Sequence, residues 1–230
     1  MKKIGLLFLI LLFAACSSTK QAREVETRSG FLGDYSALSE GKEGEALLVY
    51  KNPNRNMAKY TEVMLPHVKI WTGRKSKLRE IPKKELKELA NFFYSELHKN
   101  LSKDYKMVMK PSEKTLQIEV AITDADSSNA TMNTISTIVP QALLLSSLKG
   151  AATGKAGFVG EATAEARITD AHTGDILFAA IDRRVGGKEI DGMTDSWDDV
   201  KKAFTFWAEK LVFRLCKERG SNLCVNPGDS

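Results

Sequence analysis

The sequence has few of the residues that usually carry out chemistry: three cysteines and three histidines in 230 residues. His67, His98 and His172 fall in an expected strand, helix and turn, with no spacing that sets two of them on one face, so no metal site is expected. No serine sits in a nucleophile elbow. The stretch Gly150-Ala151-Ala152-Thr153-Gly154-Lys155 has three residues between its glycines where a phosphate-binding loop needs four, and Ala156 stands where that loop needs Ser or Thr. It reads as a plain loop. These absences leave no catalytic residue and no cofactor to expect, and the chain is not read as an enzyme.

Charge of one sign is also scarce. The net charge is +5, from 34 basic and 29 acidic residues, and setting aside Lys2 and Lys3 in the leading segment leaves +3. A mild excess spread along the chain suits contact with anionic lipid or cell-wall polymer. It gives no footprint for nucleic acid, which is not an expected partner. Long apolar runs are missing too: Ile4 to Ala15 is uninterrupted but shorter than the roughly 20 residues that a spanning helix needs.

What is present begins with that run. A basic start, Met1-Lys2-Lys3, followed by an apolar stretch ending in small residues, has the layout of a secretory signal. Phe13-Ala14-Ala15-Cys16 resembles the lipobox of bacterial lipoproteins, in which the cysteine thiol receives diacylglycerol and the chain is cut before it. The resemblance implies a signal peptide over 1–15, a lipid on Cys16 and a membrane as partner. Ser17 resembles the choice that sends lipoproteins of Gram-negative bacteria to the outer membrane, which places the domain in the cell envelope facing the periplasm. From Ser17 to Ser29 the chain is polar with almost no apolar content, so residues 16–29 read as a flexible tether. With Cys16 taken by lipid, Cys216 and Cys224 remain as an even pair. Gly220 lets the chain fold back after a helix, so the pair is expected to form a disulfide that staples a tail over 218–230, the alternative being two free thiols.

Hydrophobic periodicity organises the rest. Glu45 to Tyr50 and Val63 to Trp71 read as strands around a turn at Asn52-Pro53-Asn54-Arg55-Asn56. Pro82 opens a helix whose Leu86, Leu89, Ala90, Phe93, Leu97 and Leu101 share one face. Tyr105 to Met109 and Leu116 to Thr123 read as strands. Ala162 to Thr169 and Ile176 to Val185 form a hairpin around Thr173-Gly174. Ser196 is placed to cap a last helix with Trp197, Val200, Phe204, Trp207, Leu211 and Leu215 in a stripe. The order predicts one α+β domain over 30–217: a mostly antiparallel sheet of about five to six strands, with two long helices packed on one face.

Four stretches, Gly30 to Ser36, Leu48 to Asn54, Thr134 to Ala142 and Asp182 to Gly187, together resemble the bacterial lipoprotein family catalogued as domain of unknown function 3313. The resemblance implies a secreted, lipid-anchored domain and carries no catalytic residues with it.

Two segments are candidate sites. Asp182, Arg183 and Arg184 close an otherwise apolar strand, and read either as partners of carboxylates such as Glu161 or Glu165 or as a holder of an anionic ligand or partner. Ile135 to Leu148, with Ile138, Leu143, Leu145 and Leu148, carries no charge and reads as a plug of the core or as an apolar interface to another envelope protein or to a second copy of the chain. The function expected is a binding or scaffolding module for another envelope component. The alternatives are an enzyme acting on lipid or peptidoglycan, marked by a pocket that gathers Asp124, Asp126, Asp182 and an arginine, or a homo-oligomeric pore or assembly subunit. Cys16→Ser is expected to leave an unprocessed or soluble chain in detergent partitioning; a variant still fully membrane-bound at wild-type mobility contradicts the lipid anchor.

Overall fold

The computed structural model describes residues 19–22, 28–73, 76–127, 160–186 and 195–227. Cys16 and the whole of Ile135 to Leu148, including Ile138, Leu143, Leu145 and Leu148, lie outside them. Three long strands make the centre of a single sheet: β7 (Thr115–Asp126), β8 (Glu161–Asp170) and β9 (Ile176–Val185), each antiparallel to the next. Short strands line both sides. Along β9 run β1 (Lys20–Gln21) and β3 (Leu48–Lys51), and β2 (Ser39–Glu40) extends β3. Along the far side of β7 run β4 (Glu62–Met64) and β5 (Lys69–Ile70), both parallel to it, and β6 (Lys106–Met107) is parallel to β4.

The sheet therefore has nine strands among the described residues, not five to six, and it is mixed although mostly antiparallel. Three causes account for the difference. The expected strand from Val63 to Trp71 is two strands, because Pro66 has no N–H to give a sheet partner and interrupts the ladder between Met64 and Lys69. The strands β1 and β2 are two residues each and show no alternation of apolar and polar residues. The β1 strand also lies inside the segment expected to be a flexible tether.

Helix α1 (Lys83–Leu101) and helix α2 (Asp198–Glu218) cover one face. Leu89, Phe93, Leu97 and Leu101 of α1 and Val200, Phe204, Ala208 and Leu215 of α2 are buried against Leu116, Ile118, Val120 and Ile122 of β7. Phe93 and Phe204 stack at 4.5 Å between ring centroids where the helices meet. Each such fully buried apolar side chain contributes about 1.5–3 kcal/mol, so this layer is the main source of stability. The start of α2 differs from expectation: Trp197, not Ser196, is the cap residue, and Asp195 Oδ1 accepts the Trp197 N–H at 3.0 Å. Asp199 then wedges into the sheet, accepting the Gly160 N–H at 2.9 Å. A Cβ on Gly186 would lie 2.3 Å from the Asp199 carboxyl carbon, so only glycine there lets α2 sit this close.

The other face is covered by the stretch after the expected tether. Phe31, Leu32 and Tyr35 pack on Ala121 and Ile181. Glu165, fully buried beneath them, accepts hydrogen bonds from the Tyr35 hydroxyl at 2.7 Å and the Ser29 N–H at 3.0 Å. Burial and that carboxylate raise the Tyr35 phenol above its ordinary range. Cys216 and Cys224 form a disulfide, as expected, and it ties the tail to the end of α2.

Candidate functional site

Strand alternation separates the three charged residues of β9. Phe178, Ala180, Asp182 and Arg184 are paired with Ile168, Ala166, Ala164 and Ala162 and share the helix-facing side of the sheet, whereas Arg183 is paired with Thr163 and points the opposite way. Arg183 makes an ion pair with Glu161 at 2.8 Å, as the sequence allowed, and Lys77 joins it at 3.4 Å from Glu161 and 2.6 Å from Asp126. Glu165, the other carboxylate considered, is instead held by Tyr35 and Ser29.

On the helix side, the alanines make a floor with little volume. Ala164, Ala166 and Ala180 lie where a buried sheet face more often carries branched side chains, and α2 passes above them with Trp207 and Leu211. Both belong to the stripe predicted to be core, yet both are only half-buried. The space between is a cleft of about 240 Å³. Its walls are apolar for most of their length: Val120 and Ile168 from the sheet, Phe93 and Leu97 from α1, Phe206 and Leu215 from α2. Lys51, Lys210 and Arg214 stand at its rim with Glu45 and Glu218. Lys51 bridges both carboxylates, at 2.6 Å to Glu45 and 4.0 Å to Glu218.

One end of the cleft is charged and buried. Asp182 accepts three hydrogen bonds: Gln21 Nε2 at 2.6 Å and the Leu47 N–H at 3.1 Å on Oδ1, and Trp207 Nε1 at 2.7 Å on Oδ2. Burial pushes its carboxyl above the ordinary range, and these donors offset only part of the rise. Two residues on, Arg184 lies 3.5 Å from the centre of the Phe206 ring and donates to Thr19, through Nε to the hydroxyl at 2.8 Å and through Nη2 to the carbonyl. Burial lowers the Arg184 guanidinium to about 10. The candidate trio of Asp182, Arg183 and Arg184 is thus divided between two faces, and each member is engaged inside the protein.

The carboxylates that would mark an enzyme are not gathered. Asp124 and Asp126 stand around Lys77, with the Lys77 N–H 2.8 Å from Asp124, while Asp182 is on the cleft side. Burial raises the Asp124 carboxyl. The histidines depart from expectation in one respect: His67 and His98 both lie against Tyr94, at 4.8 and 6.0 Å between ring centroids, with His172 apart in the hairpin turn. Among the described residues no group of three or more His, Cys, Asp or Glu is placed to hold a metal ion, and no helix is long and apolar enough to cross a membrane.

The cleft itself was missed by sequence reasoning. Its one signal was the row of alanines at Ala162, Ala164 and Ala166, which marks a strand but says nothing of what lies above it.

Fold and cleft together define an α+β domain with a mixed sheet, helices on one face and an apolar opening between the last helix and the sheet. The chain matches the model of the family described as "Protein of unknown function (DUF3313)" over residues 27–211, and it belongs to that family. No curated protein matches it. Among solved structures it is similar to a PelC dodecamer from Paraburkholderia phytofirmans, with 7% identity and a TM-score of 0.39 over 76% of this chain and 97% of that one. A second crystal structure of that dodecamer gives 6% identity and a TM-score of 0.38 over 76% and 96% of the two chains. A neuraminyllactose-binding hemagglutinin homolog from Helicobacter pylori is 15% identical, with a TM-score of 0.35 over 73% of this chain and 88% of that one.

Because three donors converge on Asp182, an amide there must present an N–H to at least one of them. Asp182→Asn is expected to lower unfolding free energy by about 1–3 kcal/mol in denaturant titration, despite removing a buried charge. Unchanged or increased stability contradicts this account of the buried end.

Proposed function

We propose that this chain is a lipid-anchored, non-catalytic binding module of the cell envelope, held at the outer membrane by Cys16 and facing the periplasm. It takes hold of an elongated apolar group of another envelope component in the cleft beneath α2. The observation that carries this reading is the alanine-floored cleft: an apolar channel left unfilled in a sheet face that is otherwise densely packed. The buried charged end supports binding over catalysis, because Asp182 and Arg184 spend their hydrogen bonds on Gln21, Leu47, Trp207 and Thr19, and none is directed at a reacting group. The separation of Asp182 from Asp124 and Asp126 supports the same choice over an enzyme acting on lipid or peptidoglycan. The signal segment and lipobox support the address.

The test fills the cleft. In the mature chain beginning at Ser17, Ala166→Leu and Ala180→Leu each place a branched side chain in the channel. An environment-sensitive fatty-acid probe is expected to bind the wild type at one site. Binding should weaken by about tenfold or more in each variant, with melting temperature retained. Undiminished probe binding in both variants contradicts the cleft as the site.

A further inference from the structure

The outer face of α2 has a pattern that the core does not explain. Lys202, Phe206, Lys210, Phe213 and Lys217 recur at spacings of three and four and form one stripe along the helix, turned away from buried Phe204, Ala208 and Leu215. Lys202 and Lys217 are exposed and both phenylalanines are half-buried. Lys210 Nζ lies 5.9 Å from the centre of the Phe206 ring and 5.0 Å from that of Phe213, and Arg214 lies 5.7 Å from Phe213. Glu209, at the margin of the stripe, is its acidic neighbour.

The tail extends this surface. The disulfide returns the chain along α2, and Lys210 donates to Asn226 Oδ1 at 2.8 Å, which holds the tail beside the stripe. Next to these two ties, at residues 224 and 226, Leu223 is 91% exposed and Val225 is 79% exposed. A tail stapled twice, with aliphatic side chains left in solvent, is fixed in place without being packed onto the core.

The other end of the stripe meets the start of the chain. Phe206 stacks under Arg184, and Arg184 holds Thr19. Cys16 is three residues earlier in the sequence, so a lipid on it would attach close to a part of the chain that Arg184 ties to this stripe.

We propose that the outer face of α2 and the disulfide-closed tail form a membrane-docking surface that lies on an anionic bilayer. Phe213, Leu223 and Val225 enter the headgroup boundary, and the exposed Lys202 and Lys217 meet lipid phosphates, while Phe206 stays under Arg184 and Arg214 stays paired with Glu45 at 3.8 Å. Aromatic and aliphatic side chains interleaved with lysines on one face of a helix suit that interface, where apolar burial and attraction to anionic lipid act together. The placement of the bilayer rests on the lipid-anchor reading, but the surface is tested without the lipid. It also turns the cleft rim, at Lys210 and Arg214, toward the membrane.

The mature chain from Ser17, which keeps every described element and lacks Cys16, is mixed with vesicles containing phosphatidylglycerol and with vesicles of phosphatidylcholine alone. The expected result is salt-sensitive cosedimentation with the anionic vesicles. That binding should weaken by about tenfold in the double variant Leu223→Asp/Val225→Asp, whose positions are solvent-exposed and whose melting temperature should be unchanged. A second variant, Lys202→Glu/Lys217→Glu, should lose the preference for anionic vesicles. Equal binding by wild type and both variants, or no vesicle binding by the wild type, overturns the proposal. Loss of self-association in the variants, measured by sedimentation without lipid, overturns it in favour of a protein interface. Failure of the lipid anchor shows instead in detergent partitioning of Cys16→Ser, so the two readings fail separately.

Discussion

One buried carboxylate ties together parts of the chain that are far apart in sequence. Asp182 accepts from residues 161, 135 and 25 positions away, so the first strand, the loop before β3 and helix α2 all meet at one side chain. A buried charge is costly unless its hydrogen-bonding capacity is met, and here it is met only when all three segments are in place. This makes the end of the cleft a point of structural specification. Arg184, two residues away on the same side of β9, adds a fourth tie by holding Thr19 and packing on Phe206. The remaining length of the cleft has no such ties, since alanines make its floor and half-buried Trp207 and Leu211 its roof.

The same contacts change how an anchor at Cys16 would act. A tether running from Cys16 to Ser29 would let the domain range over tens of ångströms. Instead Lys20 and Gln21 are paired with Val185 and Arg184 in the sheet, and the Ala22 N–H donates to the Arg183 carbonyl at 2.9 Å. Two residues, Ser17 and Ser18, separate Cys16 from the first residue held by the fold. A lipid on Cys16 would therefore be joined to the sheet by a few residues of sequence and not by a long free tether. Sequence alone gives no sign of this, because a polar segment that pairs by its backbone looks the same as one that does not pair.

Much of the fold was legible because its long elements have a clear period. The alternation of Ala162, Ala164, Ala166 and Ile168 with polar residues identified β8, although Glu161, Thr163 and Glu165 on its polar side are buried as well, and the hairpin into β9 has the bounds expected, Ile176–Val185. Both helices and the pairing of Cys216 with Cys224 were readable for similar local reasons. The strands β1 and β2, of two residues each, are too short to show a period; β1 forms on unpaired backbone groups of β9 and β2 on those of the four-residue β3. The parallel pairings of β4 and β5 with β7 follow from the path of the chain through α1, which no local pattern encodes. At the site, Asp182, Arg183 and Arg184 read as one group in the sequence, although the period of two residues puts Arg183 on the opposite face from the other two. Their partners Thr19, Gln21 and Trp207 were not legible, since each is brought in by tertiary packing, and the cleft is a property of how high α2 sits above three alanines.

The chain a few residues after Cys16 belongs to the sheet, and amide hydrogen exchange at Ala22, whose N–H donates to the Arg183 carbonyl, tests this most directly in the mature chain. Protection is expected to approach that of the β9 amides, and to be lost in Arg184→Leu while the β7–β8 amides stay protected. Exchange of Ala22 at the rate of an unstructured peptide in the wild type would contradict this, and would return residues 16–29 to the role of a free tether.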